Sequence, residues 1–250
     1  MPDKLHHTKG IVLRTVKYGE TSLIVSIFTE LFGLQSYLVN GVRASSKKGS
    51  GKANLFQPAA ILDMVVYHSE LKQLQRIREF KWGHIYQHVL TDVKRNAIAM
   101  FMIELLTKCV KQPENNPDLY FFAEDALLHL DKGSETVCAN FALFFALHLP
   151  VFFGLRIQDN YTAETHYLDL QEGQFVDHLP MHSMILEGKG AYVTSQILKV
   201  QQPEELEDLK LNHEFRRSLL MAYEKYYLLH VHDFGSLRTL PVLREILGPL

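Results

Sequence analysis

Residues 10–52 read GIVLRTVKYGETSLIVSIFTELFGLQSYLVNGVRASSKKGSGK, and the fold follows from how that stretch is punctuated. Three apolar, β-branched runs, 11–16, 23–29 and 35–39, each close on a turn signal: Tyr18-Gly19, Phe32-Gly33 and Asn40-Gly41. Runs of about 4–8 residues bounded by Gly and Asn predict strands of a small antiparallel sheet. The last turn opens into residues 43–52, where Arg43, Lys47, Lys48 and Lys52 supply four positive charges and no acid answers them. A small apolar barrel carrying a basic, Gly/Ser-rich loop suits a polyanion better than it suits a small molecule.

Working outward, residues 59–67 (AAILDMVVY) and 74–80 (LQRIREF) predict a fourth and a fifth strand. In the fifth, period-two geometry puts Leu74, Arg76, Arg78 and Phe80 on one face and Gln75, Ile77 and Glu79 on the other. Arg76 and Arg78 then form a short basic stripe, or else they guard an edge strand against aggregation. After Trp82 the pattern turns helical. Val93, Ala97, Met100, Phe101, Leu105 and Cys109 mark one face of a helix over 91–111. Asn116-Pro117-Asp118 is a helix start, with a capping amide, a first-turn proline and an acid at the positive end of the dipole. That helix runs to Asp131 and stops at Lys132-Gly133. Further helices are expected over 135–152, 191–200, 213–231 and 236–247, with a strand-like pair at 166–170 and 174–176.

The net charge of −2 conceals a division. Residues 1–81 hold twelve Lys/Arg against six Asp/Glu, and residues 82–250 hold fourteen against twenty-two. Local balances of +6 and −8 point to nucleic-acid contact by the first part. Cys109 and Cys138 fall in separate apolar helical patterns, with neither a disulfide framework nor a CxxC knuckle. The opening MPDKLHHTKG has no apolar signal core, so a cytoplasmic location is expected. Residues 136–155 contain no charged side chain over twenty positions, a length that would span a bilayer. Asn140, His148 and Pro150 lie within that run and no basic cluster flanks it, which predicts a helix buried in protein and no membrane contact.

No HExxH, GxSxG, GxxxxGK[ST] or two-metal aspartate cluster occurs, so no catalytic residue and no enzyme activity is expected. His84 and His88 stand one helical turn apart without a third ligand in sequence. His230 and His232 suit the carbonyls at a helix end. Nucleic-acid binding has the better warrant: a five-stranded barrel offers cations for phosphates and aromatics for stacking. The candidate cations are Arg14, Lys17, Arg43, Lys47, Lys48, Lys52, Arg76 and Arg78. Tyr18, Tyr37 and Phe56 are candidate stacking residues, with a core role as the alternative for each. Phosphate contacts fix affinity without reading sequence, so little base preference is expected.

The pattern GIVL, then Lys17-Tyr18-Gly19-Glu20-Thr21-Ser22, then Thr29 with Gly33, then Asn40-Gly41-Val42-Arg43, resembles the N-terminal domain of the RecO family, bacterial recombination mediators of DNA repair. The likeness continues through Gln57-Pro58 and returns at Arg217-Ser218-Leu219-Leu220, Tyr226-Tyr227-Leu228 and Ser236-Leu237. It implies an α+β, multi-domain chain: a five-stranded OB-fold barrel over 1–81, then an all-α helical domain over 82–250. It also implies binding of single- and double-stranded DNA, annealing of complementary strands and a nucleoid-associated place in the cytoplasm. RecR is the implied partner in loading RecA, so RecA is engaged indirectly. The acidic C-terminal tail of single-strand binding protein is a further implied partner, and Arg216, Arg217 and Lys225 are the densest basic group in the helical region to receive it. The alternative is a protein-interaction adaptor whose helical domain does the essential docking with incidental DNA contact.

One departure from the family concerns zinc. Many members carry four cysteines as two pairs after the glycine that Gly154 matches, and residues 154–189 here have none. His166, Asp177, His178 and His182 are the remaining ligand types, yet Pro180 prevents His178 and His182 from sharing a helix face, and no thiolate is present. A degenerate, cysteine-free zinc-ribbon-like insertion without metal or other cofactor is expected, held by Tyr167, Leu168, Leu170 and Phe175.

Overall fold

The computed structural model describes residues 4–43 and 51–246. Five strands form a closed barrel: β1 (Lys4–Tyr18), β2 (Ser22–Thr29), β3 (Gly33–Val39), β4 (Ile61–His68) and β5 (Leu74–Trp82), in the order β1-β2-β3-β5-β4. All neighbours are antiparallel except β3 and β5, which are parallel. The expected N-terminal sheet is therefore present, with β1 much longer than the 11–16 read from sequence. Its first half pairs with β4 and its second half with β2. Residues 4–9 lack apolar alternation, so only their partner strand reveals them. Gly10 marks the crossover between the two pairings. A Cβ there would lie 2.5 Å from Ile27 Cγ2 and 2.7 Å from Met64 Cε, so a side chain has no room.

Val12, Val25, Ile27, Tyr37, Leu62 and Val66 fill the barrel interior. A 3-10 helix, Lys52–Phe56, adds Phe56 to that core, with its ring 4.7 Å from Phe80. Two bulges break the alternation, at Leu13 on β1 and at Arg78 on β5. The second overturns the expected face assignment. Val65 pairs with Glu79 and Val66 with Ile77, so Arg78 is the extra residue. An extra residue shifts the phase of the strand beyond it, and Phe80 and Trp82 pack against the core while Arg76 and Arg78 stay outside.

Among the described residues six α-helices come after the barrel: α1 (Val93–Cys109), α2 (Pro117–Lys132), α3 (Glu135–His148), α4 (Gly188–Lys199), α5 (His213–His230) and α6 (Thr239–Ile246). The chain divides into two compact units, Met1–Gln87 with Val110–Leu127, and His88–Cys109 with Leu128–Leu250. In the first unit the start of α2 covers part of the barrel's outside. Tyr120 lies 6.0 Å from Phe28 between ring centroids, and Lys9 Nζ reaches Glu124 Oε1 at 3.1 Å. Asn116 caps α2 as its sequence requires, its Oδ1 accepting from Leu119 N at 3.0 Å. Gly33 adopts φ +62° where the chain passes Glu114, and a Cβ would fall 1.9 Å from the Glu114 carbonyl oxygen.

The second unit is built around α3, where Val137 to Leu147 are buried apart from Ala139. The apolar segment Glu135–Phe153 is long enough to cross a membrane, but 67% of its most apolar window is buried inside the protein. Its one amide is fully used: Asn140 Nδ2 donates to Leu206 O (3.1 Å) and Leu209 O (2.9 Å), and its Oδ1 accepts from Arg216 Nε (2.9 Å). A buried amide is tolerated only when so satisfied. Between α3 and α4 lies a small sheet of β6 (Tyr167–Asp169), β7 (Gln174–Val176) and β8 (Ile185–Leu186), ordered β7-β6-β8. Sequence periodicity missed β8, which is two residues long.

Candidate nucleic-acid interface and helical basic stripe

The open part of the barrel's outer face is laid out by register. Val16 pairs with Ile24, Ile24 with Leu38, Leu38 with Arg76, and Arg76 with Tyr67. Directly paired residues point to one side of a sheet, and none of these five is buried. One step along, Arg14, Ser26, Ser36 and Leu74 form a parallel row. Two guanidinium groups, Arg14 and Arg76, thus stand on one surface with short hydroxyls and the half-buried Ile24 and Leu38 between them, and the exposed Val16 and Leu74 at the row ends. Tyr18 continues the same phase and is 54% exposed. The face combines exposed cations, a phenol ring and apolar ground, the chemistry that holds phosphates and stacks bases.

The other expected cations are placed differently. Lys17 lies in the phase of buried Leu23 and Val39 but is itself exposed at the end of β1. Arg43 is half-buried, its backbone N–H on Thr21 O (3.0 Å) and its Nη1 on Gly19 O (3.3 Å), which ties it to the β1–β2 turn. Lys52 is exposed at the head of the 3-10 helix, whose last carbonyl, on Phe56, accepts from Thr15 Oγ1. Lys47 and Lys48 lie outside the described residues. Arg78 pairs with its neighbour Glu79 at 3.3 Å, with both side chains at least half exposed. Such a pair contributes about 0–1 kcal/mol and leaves the cation accessible.

Of the three stacking candidates, two are core residues. Tyr37 is 0% and Phe56 1% exposed, and burial pushes the Tyr37 phenol well above its ordinary pKa. Period two explains both the loss and a gain. Tyr37 shares the inward phase of Val25, whereas Val16 and Tyr18 share the outward phase of Arg14. Leu74 was placed beside Arg76 by period two in the sequence, whereas Val16 was not singled out, and strand phase was the signal that pointed to it.

On α5 the three expected cations separate. Arg216 is half-buried, and besides its bond to Asn140 it donates from Nη2 to Leu211 O at 2.6 Å. Burial lowers the pKa of its guanidinium. It ties α5 to α3. Arg217 and Lys225 are exposed, and with exposed Met221 and Leu228 they keep the three- and four-residue spacing of one helix face. Cations flanking apolar groups on that stripe suit an acidic, apolar-ended peptide.

The histidines do not assemble. His84 and His88 lie in a segment without helix, so they share no helix face. His166 Nδ1 lies within hydrogen-bond distance of the Ala163 and Glu164 carbonyls, His178 of Asp177 (2.7 Å) and His182 of Asp169 (3.2 Å). Among the described residues no group of three His, Cys, Asp or Glu side chains is placed to hold a metal ion. The sheet is instead held by its buried Leu168, Leu170 and Phe175 and by Asn160, which makes two 2.8 Å hydrogen bonds to the Phe175 backbone. His230 reaches the Leu170 carbonyl (2.9 Å) rather than its own helix end, and His232 pairs with Asp233 (2.8 Å).

Comparison with known proteins covers nearly the whole chain. A family model described as recombination protein O N terminal matches residues 1–86, and one described as recombination protein O C terminal matches residues 90–238. The chain is similar to the DNA repair protein RecO of Christiangramia forsetii, 32% identical over 98% of this chain and 100% of that protein. It is similar to the same-named protein of Bacteroides fragilis, 33% identical over 97% and 99%. That of Flavobacterium johnsoniae is 30% identical over 96% and 98%.

Proposed function

The chain belongs to the RecO family of DNA repair proteins, and from that premise we propose that it is a non-catalytic recombination mediator that binds and anneals single-stranded DNA. With RecR it helps load RecA onto DNA coated by single-strand binding protein. The observation that carries the reading is the pair of adjacent register rows, one holding Arg14 and the other Arg76, on the outer barrel face that also bears Tyr18. A strand lying there has its phosphates neutralised without its base edges being engaged, which leaves those edges free to pair. Neutralising phosphates also removes the repulsion that opposes annealing.

We assign the phosphate contacts to Arg14, Lys17, Arg43, Lys52, Arg76 and Arg78, together with Lys47 and Lys48 of the basic segment. Residues 1–81 hold DNA in this reading, and residues 82–250 hold protein through Arg217 and Lys225. The salt dependence of single-strand affinity tests it. If about four phosphates are met by Arg43, Lys47, Lys48 and Lys52, log affinity falls against log salt with a slope near −2.8 from that group alone. Replacing all four by Ala flattens the slope, and an unchanged slope removes the segment from the interface.

The exposed α5 stripe favours a second reading, in which docking by the helical unit is the essential act and DNA contact is incidental. The discriminating measurement is annealing of complementary oligonucleotides by a chain carrying Arg14→Gln and Arg76→Gln. Full annealing activity there favours the adaptor.

A further inference from the structure

The turn between β4 and β5 is unusually well fastened for a surface loop. Gln75, only 3% exposed, donates from Nε2 to Ser69 O (2.8 Å) and to Lys72 O (2.6 Å), and its Oε1 accepts from Ser69 N (3.1 Å). The Lys72 N–H closes the turn on Ser69 O at 3.1 Å. One buried side chain therefore fixes both ends of a tip whose apex residue, Leu71, is 94% exposed. Isolated exposed leucines are ordinary on protein surfaces. This one sits on a turn whose two ends, Ser69 and Lys72, are hydrogen-bonded to one buried side chain, and that turn runs directly into Leu74 and Arg76, which lie on the open face with Arg14.

We infer that Leu71 is an apolar wedge for nucleobases: it packs against the bases of a single strand whose phosphates are held by Arg14 and Arg76. The occupant is set by charge, since residues 1–81 carry a local balance of +6 and both arginines on the face are exposed. A strand tracked by cations exposes its bases to whatever apolar group the protein sets beside them. Leucine is among the side chains that enter base steps and unstack them. A rigid tip is suited to that role, because a mobile one would lose its ordering entropy on each encounter. In annealing, an unstacked base presents its pairing edge to a second strand. The inference rests on the barrel face being the DNA site.

The probe is a single-stranded oligodeoxynucleotide with aminopurine set between adenines, whose fluorescence is quenched by stacking. Binding of the unsubstituted full chain is expected to raise the fluorescence. Leu71→Ser abolishes the rise and weakens binding about fivefold, toward the low end of what a base contact contributes. The salt slope stays unchanged, because no charge is removed. Leu71→Phe keeps the rise. Because the side chain lies almost wholly in water, neither substitution disturbs the core. If Leu71→Ser matches the unsubstituted chain in fluorescence and affinity while Arg14→Gln with Arg76→Gln weakens binding, the wedge is overturned and the DNA face stands. If the unsubstituted chain does not bind the oligonucleotide, both fall.

Discussion

Arg76 with Arg78 on β5 and Arg216 with Arg217 on α5 are two closely spaced pairs of arginines with opposite outcomes. On β5 a two-residue spacing and a bulge leave both side chains outside the barrel. On α5 neighbouring residues point about 100° apart, given 3.6 residues per turn. Arg216 therefore turns toward Asn140 and Leu211 O, while Arg217 faces water. Equal formal charge does not make equal binding groups. A guanidinium used to satisfy a buried amide is part of the fold, and its neighbour is free to meet a partner.

The largest effect expected from this contrast is on stability. Arg216→Ala leaves Asn140 Oδ1 and the Leu211 carbonyl without their charged donor, which costs about 2–3 kcal/mol. Arg217→Ala stays within about 0.5 kcal/mol. Urea midpoints at equal m-value measure the difference, and equal midpoints would erase the distinction between the two residues.

Next in size is the effect of Arg14→Gln with Arg76→Gln on DNA. Two lost phosphate contacts flatten the single-strand salt slope by about 1.4 and weaken binding roughly tenfold at moderate salt. A slope that does not move would take the DNA off this face. A smaller change, about threefold in affinity as befits exposed charges, is expected when Arg217→Glu with Lys225→Glu is titrated with an acidic tail peptide of single-strand binding protein. DNA affinity should then be unaffected. Arg216 is left intact in that variant because reversing it would confuse docking with unfolding. Equal damage to both ligands by both pairs would replace the division of labour with one composite surface.

The smallest effect sharpens the comparison of buried with exposed titratable groups. Burial lowers the pKa of the His148 imidazole, outweighing its hydrogen bonds to the Phe144 and Val200 backbone, so the folded protein favours the neutral ring. Its contribution is complete above about pH 6.5, the ordinary imidazole value. It is lost as pH falls through the lower folded-state value. His148→Gln should flatten the pH dependence of the urea midpoint below pH about 6.5, and an unchanged dependence would remove the buried imidazole from the account.

Local rules made most of the architecture legible. Gly19 and Gly33 adopt positive φ at the turns between β1, β2 and β3, and Gly41 does so just after β3. Ser134 caps α3 by accepting from Val137 N at 3.2 Å, just after Gly133 ends the preceding helix. Of the eight candidate cations, Arg14, Lys17, Lys52, Arg76 and Arg78 are exposed, as their residue types suggest. The remainder turned on phase. Tyr37 reads equally as a stacking ring or a core residue until its register with Val25 places it inside. Phe80 reads as a partner of Arg78 until a bulge carries it to the core.

The sequence by itself determined the strand and helix count of the barrel and the main helices, the charge division between residues 1–81 and 82–250, and the family. Each of these depends on periodicity, turn residues or composition within a few positions of one another. Only the tertiary structure decided that Arg216 belongs to Asn140, seventy-six residues away, and that Gln75 locks the tip bearing Leu71. Only the structure joined Arg14 to Arg76 through two intervening strands. Hydrogen-bond partners and strand register are set by closure of the chain on itself, and no local window of residues contains that information.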